Sequence, residues 1–450
     1  MNLQDLEKKS VLLLGKSRSF NYEEFDTQMK SHMIEIVKEL NENVALIVEG
    51  RMMTPYEQNE SERLYENHNI EFVSIDELER ELAEHIDEDV LLMSLKLSHD
   101  KERLKSFIQN SMLSNTLFLR LLKMYSWGGS DFFETDDNRD VTSALIGRFY
   151  KDIERNHNIQ YSTLGLTHLV AQTRNEALLE SIALLEPLQK SFQATNKKDA
   201  KYSVLCAIAT HNSTPKRVLK KIIKEGDSYL KVLVAMRKQC DAMMQRRLFD
   251  DGDKEVVEAL SYSMYLDKEI AKEMCKSELY AKNIAKYIYV DEEIFNILVE
   301  KYPAELAQNE SLSYEFQQSL ILLHQEGVRV SLASNPHIDE RFINELVSEG
   351  SEDVNMAIYE NESTPTQTLE EAYGDVANHF ALAHNKSTPA KILKLLAESA
   401  NPKVLEGLAK NESTPIEVLY QLHLDRRFER FVKENKSFGK YIQSENLGWL

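Results

Sequence analysis

The sequence predicts a mainly α chain: a right- or left-handed α-α superhelix, or solenoid, of short helix pairs, with a small α/β domain at the N-terminal end. Three observations carry this expectation. An Asn-containing Ser-Thr-Pro motif recurs through the C-terminal half at near-constant spacing. Gly (14) and Pro (9) are scarce in 450 residues, and a shortage of breakers favours helix. Near the N-terminus, short apolar runs alternate with segments of helical period, as in β-α-β units. A chain of 450 residues is also too long for one core. The expected division is 1–88 for the α/β domain, 89–198 for a helical connector or cap, and 199–442 for about nine or ten repeats of 22–26 residues.

Within the first part, residues 10–15 read as a buried strand and 27–40 as a helix with apolar Met29, Met33, Ile36, Val37 and Leu40. A second strand at 44–48, a short helix at 57–65 and a third strand at 70–75 follow. Asp76 is placed to cap a helix running through Leu82 and Ile86, with Glu79 at the capping-box position. This order, with Leu14-Gly15 after the first strand, 45–48 before a bend, and 72–78 at the last strand-to-helix junction, resembles a BRCT domain. The resemblance implies protein–protein docking. In phosphopeptide-binding members a Ser or Thr and a Gly after the first strand, with a Lys in a later helix, hold the phosphate. Here Gly15 is present, Leu14 stands at the hydroxyl position, and the second helix offers Arg63 and no Lys. Asn41-Glu-Asn43 replaces the usual Gly-Gly, and the last helix has no Trp.

The middle part reads as helical throughout. Phe107, Leu117, Leu121 and Tyr125 recur at helical spacing, as do Leu166, Leu169, Val170, Leu178, Leu179 and Ile182. One irregular loop, 127–140, interrupts it, and the polar stretch 191–201 is the expected boundary with the repeats.

The repeats announce themselves in four clean copies: His211-Asn-Ser-Thr-Pro215, Glu360-Asn-Glu-Ser-Thr-Pro365, His384-Asn-Lys-Ser-Thr-Pro389 and Lys410-Asn-Glu-Ser-Thr-Pro415. Degenerate copies lie at 287–295, 308–311 and 334–339. Anchored on Asn309, Asn335, Asn361, Asn385, Asn411 and Asn435, the spacings are 26, 26, 24, 26 and 24, and the 97 residues from Asn212 to Asn309 fit four more units. Thr214, Thr364, Thr388 and Thr414 are expected as N-caps, with Pro215, Pro365, Pro389 and Pro415 in the first helical turn. Glu417 and Gln367 would complete capping boxes. The anchor Asn is expected in the left-handed conformation after the preceding helix. Two such helices bury too little alone, and stacking supplies a continuous core. The unit Asn-x-Ser-Thr-Pro-x-x-Val-Leu-x-x-Leu resembles the leucine-rich repeat variant family, an α-solenoid relative of HEAT and armadillo arrays. Some members carry a cysteine-ligated iron–sulfur cluster; no such cysteine group is present here.

Charge narrows the partners. The chain carries 74 acidic and 54 basic residues, a net of −20. Residues 1–90 hold 22 against 9, a net of −13. Nucleic acid and anionic membranes call for a basic footprint, so neither is expected, and a protein partner with a basic surface is. Three cysteines without a CxxC pair, and an apolar run at 11–14 too short for a signal segment or span, point to the cytoplasm.

Catalytic signals are absent from the sequence. Gly15-Lys16-Ser17 lacks the glycine five residues earlier that a phosphate loop needs, since position 10 is Ser. Asp136-x-Asn138-x-Asp140 begins like a calcium loop, but Val141 and Gly147 stand where Gly and Glu are required. His379 and His384 lack the Glu of a zinc motif. Cys206, Cys240 and Cys275 read as small core residues inside repeat helices. Gly15, Lys16, Ser17 and Trp127 are retained as candidate binding residues; no catalytic residue, metal ligand or cofactor is expected. The functional expectation is a non-catalytic scaffold or adaptor, with partners on the solenoid's concave face, the N-terminal domain, or both. The alternative is a ligand- or nucleotide-sensing regulator acting through the N-terminal domain.

Overall fold

The computed structural model describes residues 2–67, 70–192, 199–349 and 351–444. The chain is mainly helical, with one four-stranded parallel sheet at its N-terminus. It divides into two compact units, Met1–Val234 and Ala235–Leu450. The expected boundary at 191–201 falls largely on 193–198, outside the described residues.

The sheet is built from β1 (Ser10–Leu14), α1 (Tyr22–Ser31), β2 (Glu35–Val37), β3 (Val44–Glu49), α2 (Pro55–Asn67), β4 (Glu71–Ser74) and α3 (Ile75–Glu84), with strand order β2-β1-β3-β4. The chain leaves β1 toward one side to make β2 and moves from β3 to β4 toward the other. Right-handed crossovers therefore put α1 and α2 on opposite faces. On the α2 face, Leu64 packs with Leu12, Leu14, Val44 and Ile47.

The predicted helix over 27–40 is corrected. The helix begins earlier, where the Asn21 side chain accepts from the Glu24 N–H, and ends at His32. Met33 then takes a left-handed turn (φ 58°), and Ile36 and Val37 pair with Val11 and Leu12 as a fourth strand. Apolar residues at 29, 33, 36 and 37 fit a helical period, but β-branched Ile36 and Val37 also suit a strand, and strand pairing decides. The cap of α3 also differs: Ser74 accepts from the Glu77 N–H, while Asp76 and Glu79 lie inside the helix.

In the second unit, all described elements are helices. From Glu278 onward every second helix packs against the next of its set: Glu278–Tyr287, Pro303–Ala307, Glu326–Ala333, Glu352–Glu360, His379–His384, Pro402–Lys410 and Glu429–Glu434 form one row. Tyr314–Ile321, Glu340–Glu349, Thr366–Ala372, Ala390–Leu396, Ile416–His423 and Lys436–Ser444 alternate with them.

A ladder of buried asparagine amides joins successive units. The Asn335 Nδ2 donates to Ala307 O (2.9 Å) and Asn309 O (2.8 Å). Asn361 donates to Ala333 O and Asn335 O, Asn385 to Tyr359 O and Asn361 O, Asn411 to Ala383 O and Asn385 O, and Asn435 to Ala409 O and Asn411 O. Asn309 starts the series on Ala285 O and Ile288 O. Each Oδ1 accepts the N–H two residues on, at Ser311, His337, Ser363, Ser387, Ser413 and Ser437. The serine hydroxyls of 363, 387 and 437 reach back to Pro336 O, Glu362 O and Glu412 O. The motif therefore satisfies helix-end carbonyls of the preceding unit as well as its own turn.

Two expectations about the motif are corrected by this arrangement. The anchors are extended, not left-handed; Asn411 has φ −71° and ψ 118°. The first copy is also registered one residue earlier. His211, with φ −70° and ψ 127°, occupies the anchor and its Nδ1 accepts from the Ser213 N–H, whereas Asn212 is exposed. His384 precedes its anchor and is not the equivalent of His211.

The threonines cap the helix before them, not the one after. Thr214, Thr364, Thr388 and Thr414 are buried, and each hydroxyl donates to the carbonyl six residues back: Ile208, Ile358, Leu382 and Leu408. Pro215, Pro365, Pro389 and Pro415 sit at the N-cap itself, with no side-chain acceptor. A residue before proline is held extended, and with Pro415 at ψ 141° the threonine is one position too early to cap. The same Thr-Pro-x-Glu letters at 54–57 do form a capping box, because there Pro55 is the first helical residue. The Thr54 hydroxyl accepts from Glu57 N–H (3.3 Å) and the Glu57 carboxylate accepts from Thr54 N–H (2.7 Å). Thr414→Val keeps shape and deletes the hydroxyl, and is expected to lower stability by about 1–2 kcal/mol, with Thr414→Ser retaining most of it. Urea titration of the full chain checks this; a valine variant as stable as the parent removes the bond from the account.

Candidate binding crevice

The C-terminal ends of β1 and β2 open into a crevice of about 720 Å³. It lies beside β1, where the chain turns first to one side of the sheet and then to the other, the place where open parallel sheets form ligand crevices. Gly15, Lys16 and Ser17 line it from the loop after β1, Ile36 and Lys38 from β2 and its exit, and Met52, Thr54, Tyr56 and Glu57 from the entry to α2.

Two glycines shape its base. Beyond the parallel pairing of β1 with β3, Lys16 and Arg51 exchange both backbone bonds (2.8 Å each), and Gly50 N–H donates to Leu14 O (2.6 Å). Gly15 has φ 91°, and a Cβ there would stand 2.8 Å from Arg51 O. A Cβ on Gly50 would lie 2.7 Å from both Lys16 N and Lys16 O. This close approach is possible only without side chains.

The loop's polar groups are already engaged. Gly15 N–H donates to Glu57 Oε1 (3.1 Å), and the Ser17 hydroxyl donates to Phe20 O (2.7 Å). The N–H groups of Arg18 and Ser19 both donate to Oε1 of fully buried Glu79 (2.7 and 2.9 Å). The backbone donor that the BRCT resemblance lends to a phosphate is thus held by an internal carboxylate. Leu14 is buried, and Arg63 pairs with Glu60 (2.7 Å). Lys16 and Lys38 form no ion pair among the described residues and are exposed.

The Thr54 N–H and hydroxyl, then the Gly15 N–H, hold the Glu57 carboxyl below its ordinary value. A depressed carboxyl stabilises the fold above its unfolded pKa, and that contribution disappears as pH falls through the folded pKa. Glu57→Gln is therefore expected to flatten the acid limb of stability against pH while mattering least at the most acid end. Urea midpoints across the carboxylate range check it; an unchanged acid slope would clear Glu57 of the role.

The other predicted residues lie elsewhere. Trp127 is 7 % exposed and packs edge-on between Tyr125 (5.1 Å) and Phe132 (5.4 Å), which corrects its reading as a binding residue. The loop around it is held by fully buried Asn138, whose amide bonds Gly128 O and Asp131 O. Asp136 and Asp140 belong to a helix, Asp136–Phe149, so the irregular segment is shorter than expected. Burial pushes the Cys240 thiol up to about 12 and the Cys275 thiol up to about 11, far from nucleophilic. Cys240 lies in a turn before Asp241 and Cys275 at a helix end; of the three only Cys206 is inside a helix. Among the described residues, no group of three His, Cys, Asp or Glu side chains is placed to hold a metal. No described helix is long and apolar enough to cross a membrane.

The fold and crevice define a helix-rich protein with a small parallel-sheet domain, organised around carbonyl-capping repeats. No family model, curated protein or solved structure matches the chain.

Proposed function

We propose that the chain is a non-catalytic scaffold or adaptor of the cytoplasm, in which residues 199–442 act as an α-solenoid of leucine-rich repeat variant type and residues 1–88 as a BRCT-like docking domain. The asparagine ladder carries this reading. It fixes each unit to the one before through backbone carbonyls and leaves the exposed side chains free to vary, which is what a repeat-built binding surface requires. Fold does not by itself supply function, so partners must be found directly. Affinity capture of the intact protein from its native cells, read by mass spectrometry, is expected to yield protein partners with basic surfaces. Their association should slow as salt rises, because exposed charges are screened over about 8–10 Å at physiological ionic strength. With a net charge of −20, no tight binding to DNA or RNA is expected at about 0.15 M salt. Sub-micromolar binding in a filter assay there would overturn the scaffold reading.

A second reading, a ligand- or nucleotide-sensing regulator, draws on the crevice lined by Gly15, Lys16 and Ser17. A nucleotide that raised the melting temperature of the intact chain at micromolar concentration would favour it.

A further inference from the structure

We propose that the crevice of the N-terminal domain receives an extended basic segment of a partner protein, which inserts one apolar side chain between Met52, Tyr22 and Tyr56. The inference rests on the docking role proposed for this domain and names the chemistry of what docks.

The rim is apolar in an unusual way. Tyr22, Met52 and Tyr56 are 55 %, 81 % and 77 % exposed, and all three line the same crevice. Single exposed apolar residues are ordinary; three around one opening, above a floor of Leu12, Leu14, Ile36 and Leu40, form a patch. Met52 has φ 55°, a strained conformation for a residue with an unbranched side chain, and the backbone exchange between Lys16 and Arg51 just before it holds the turn. The strain presents a flexible thioether to solvent, the side chain best suited to adapting to an incoming apolar group.

The polar interior speaks against a small polar ligand. Gly15 N–H, the Ser17 hydroxyl and the Thr54 hydroxyl each have an internal partner. A nucleotide or phosphate entering would have to displace Glu57 from Gly15, whereas an apolar side chain requires no new hydrogen bond. Charge then selects the flanking residues. Residues 1–90 carry a net of −13, and it is this domain-wide charge that steers the partner, since the lining itself is close to balanced, with Glu39, Glu57 and the Arg63-paired Glu60 against Lys16 and Lys38. A basic segment is steered toward such a surface, while an acidic one, or a second copy of this chain at −20, is repelled.

The test is selection from a random peptide library displayed on phage, with the full-length chain as bait at low and at physiological salt. Enriched peptides are expected to hold one aromatic or long aliphatic residue flanked by Lys or Arg. As synthetic fluorescent peptides they should bind with an affinity that falls with salt and drops at least tenfold on Met52→Ser/Tyr56→Ser. Both side chains are exposed, so circular dichroism and melting should match the parent. Enrichment of acidic sequences, no enrichment, or binding indifferent to the double substitution overturns the proposal. Peptides that bind the double variant as well as the parent place docking elsewhere and leave the scaffold reading standing. Loss of every protein partner in capture from cells would instead sink the scaffold reading.

Discussion

Asn385→Ala is expected to destabilise the second unit by about 2–5 kcal/mol, because it strands two buried carbonyls, each worth about 1–3 kcal/mol when orphaned, and deletes the acceptor of a partly exposed N–H. The side chain is fully buried, its Nδ2 lies 2.8 Å from Tyr359 O and 2.7 Å from Asn361 O, and its Oδ1 accepts the Ser387 N–H at 2.7 Å. Alanine leaves the two buried carbonyls without partners, while the Ser387 N–H, on an exposed residue, can turn to water. Asn385→Asp should be worse still, since it replaces the donor by a buried charge. Asn212→Ala is the matched control: the residue follows the anchor in its copy and is exposed, so little change is expected. Urea titration gives the overall effect. Hydrogen exchange locates it, and protection should fall first between the helices Glu352–Glu360 and Ala390–Leu396, where the two neighbouring units meet. An Asn385→Ala chain that unfolds with the parent would show that the ladder contributes nothing.

Gly50→Ala is expected to cost about 1–3 kcal/mol through overpacking and to open the base of the crevice. The new methyl would lie 2.7 Å from Lys16 N and O and 2.8 Å from Leu14 O, all backbone atoms that cannot rotate aside. Relief requires separating the Lys16–Arg51 exchange, which also holds Met52 at the rim. Gly327→Ala, with nothing within 4 Å, should be neutral or slightly stabilising in its helix. Thermal unfolding of both variants checks the contrast, and the Gly50 variant should also bind any crevice peptide more weakly. Equal melting temperatures for the two would mean that the close approach is not restrictive.

Repetition was the legible part of this chain. The recurrence of Asn at 309, 335, 361, 385, 411 and 435 marks where each unit turns, because at these positions a buried amide reaches two carbonyls of the preceding unit while its oxygen accepts an N–H of its own turn. Helix was legible for the same reason that breakers were few. The roles within the motif were not. Thr414-Pro-Ile-Glu417 and Thr54-Pro-Tyr-Glu57 are alike as strings, yet one threonine donates backward to Leu408 and the other caps α2. Local sequence leaves the proline free to be either the N-cap or the first helical residue, and only packing against the preceding helix chooses.

The crevice lay between the two cases. Gly15, Lys16 and Ser17 could be picked out one after another along the chain, but Gly50 and Glu57 complete the site from 35 and 42 residues further on, and nothing in a linear reading ties them to Gly15. The sequence alone determined that the chain is helical, repetitive and acidic at its N-terminal end, since these follow from composition and period. The tertiary structure alone decided that 35–37 form a strand, that His211 stands in an anchor, that Trp127 is core, and which N–H groups remain for a ligand. Those outcomes depend on which distant backbone atoms come within hydrogen-bonding reach, and that distance is set by packing rather than by neighbours in sequence.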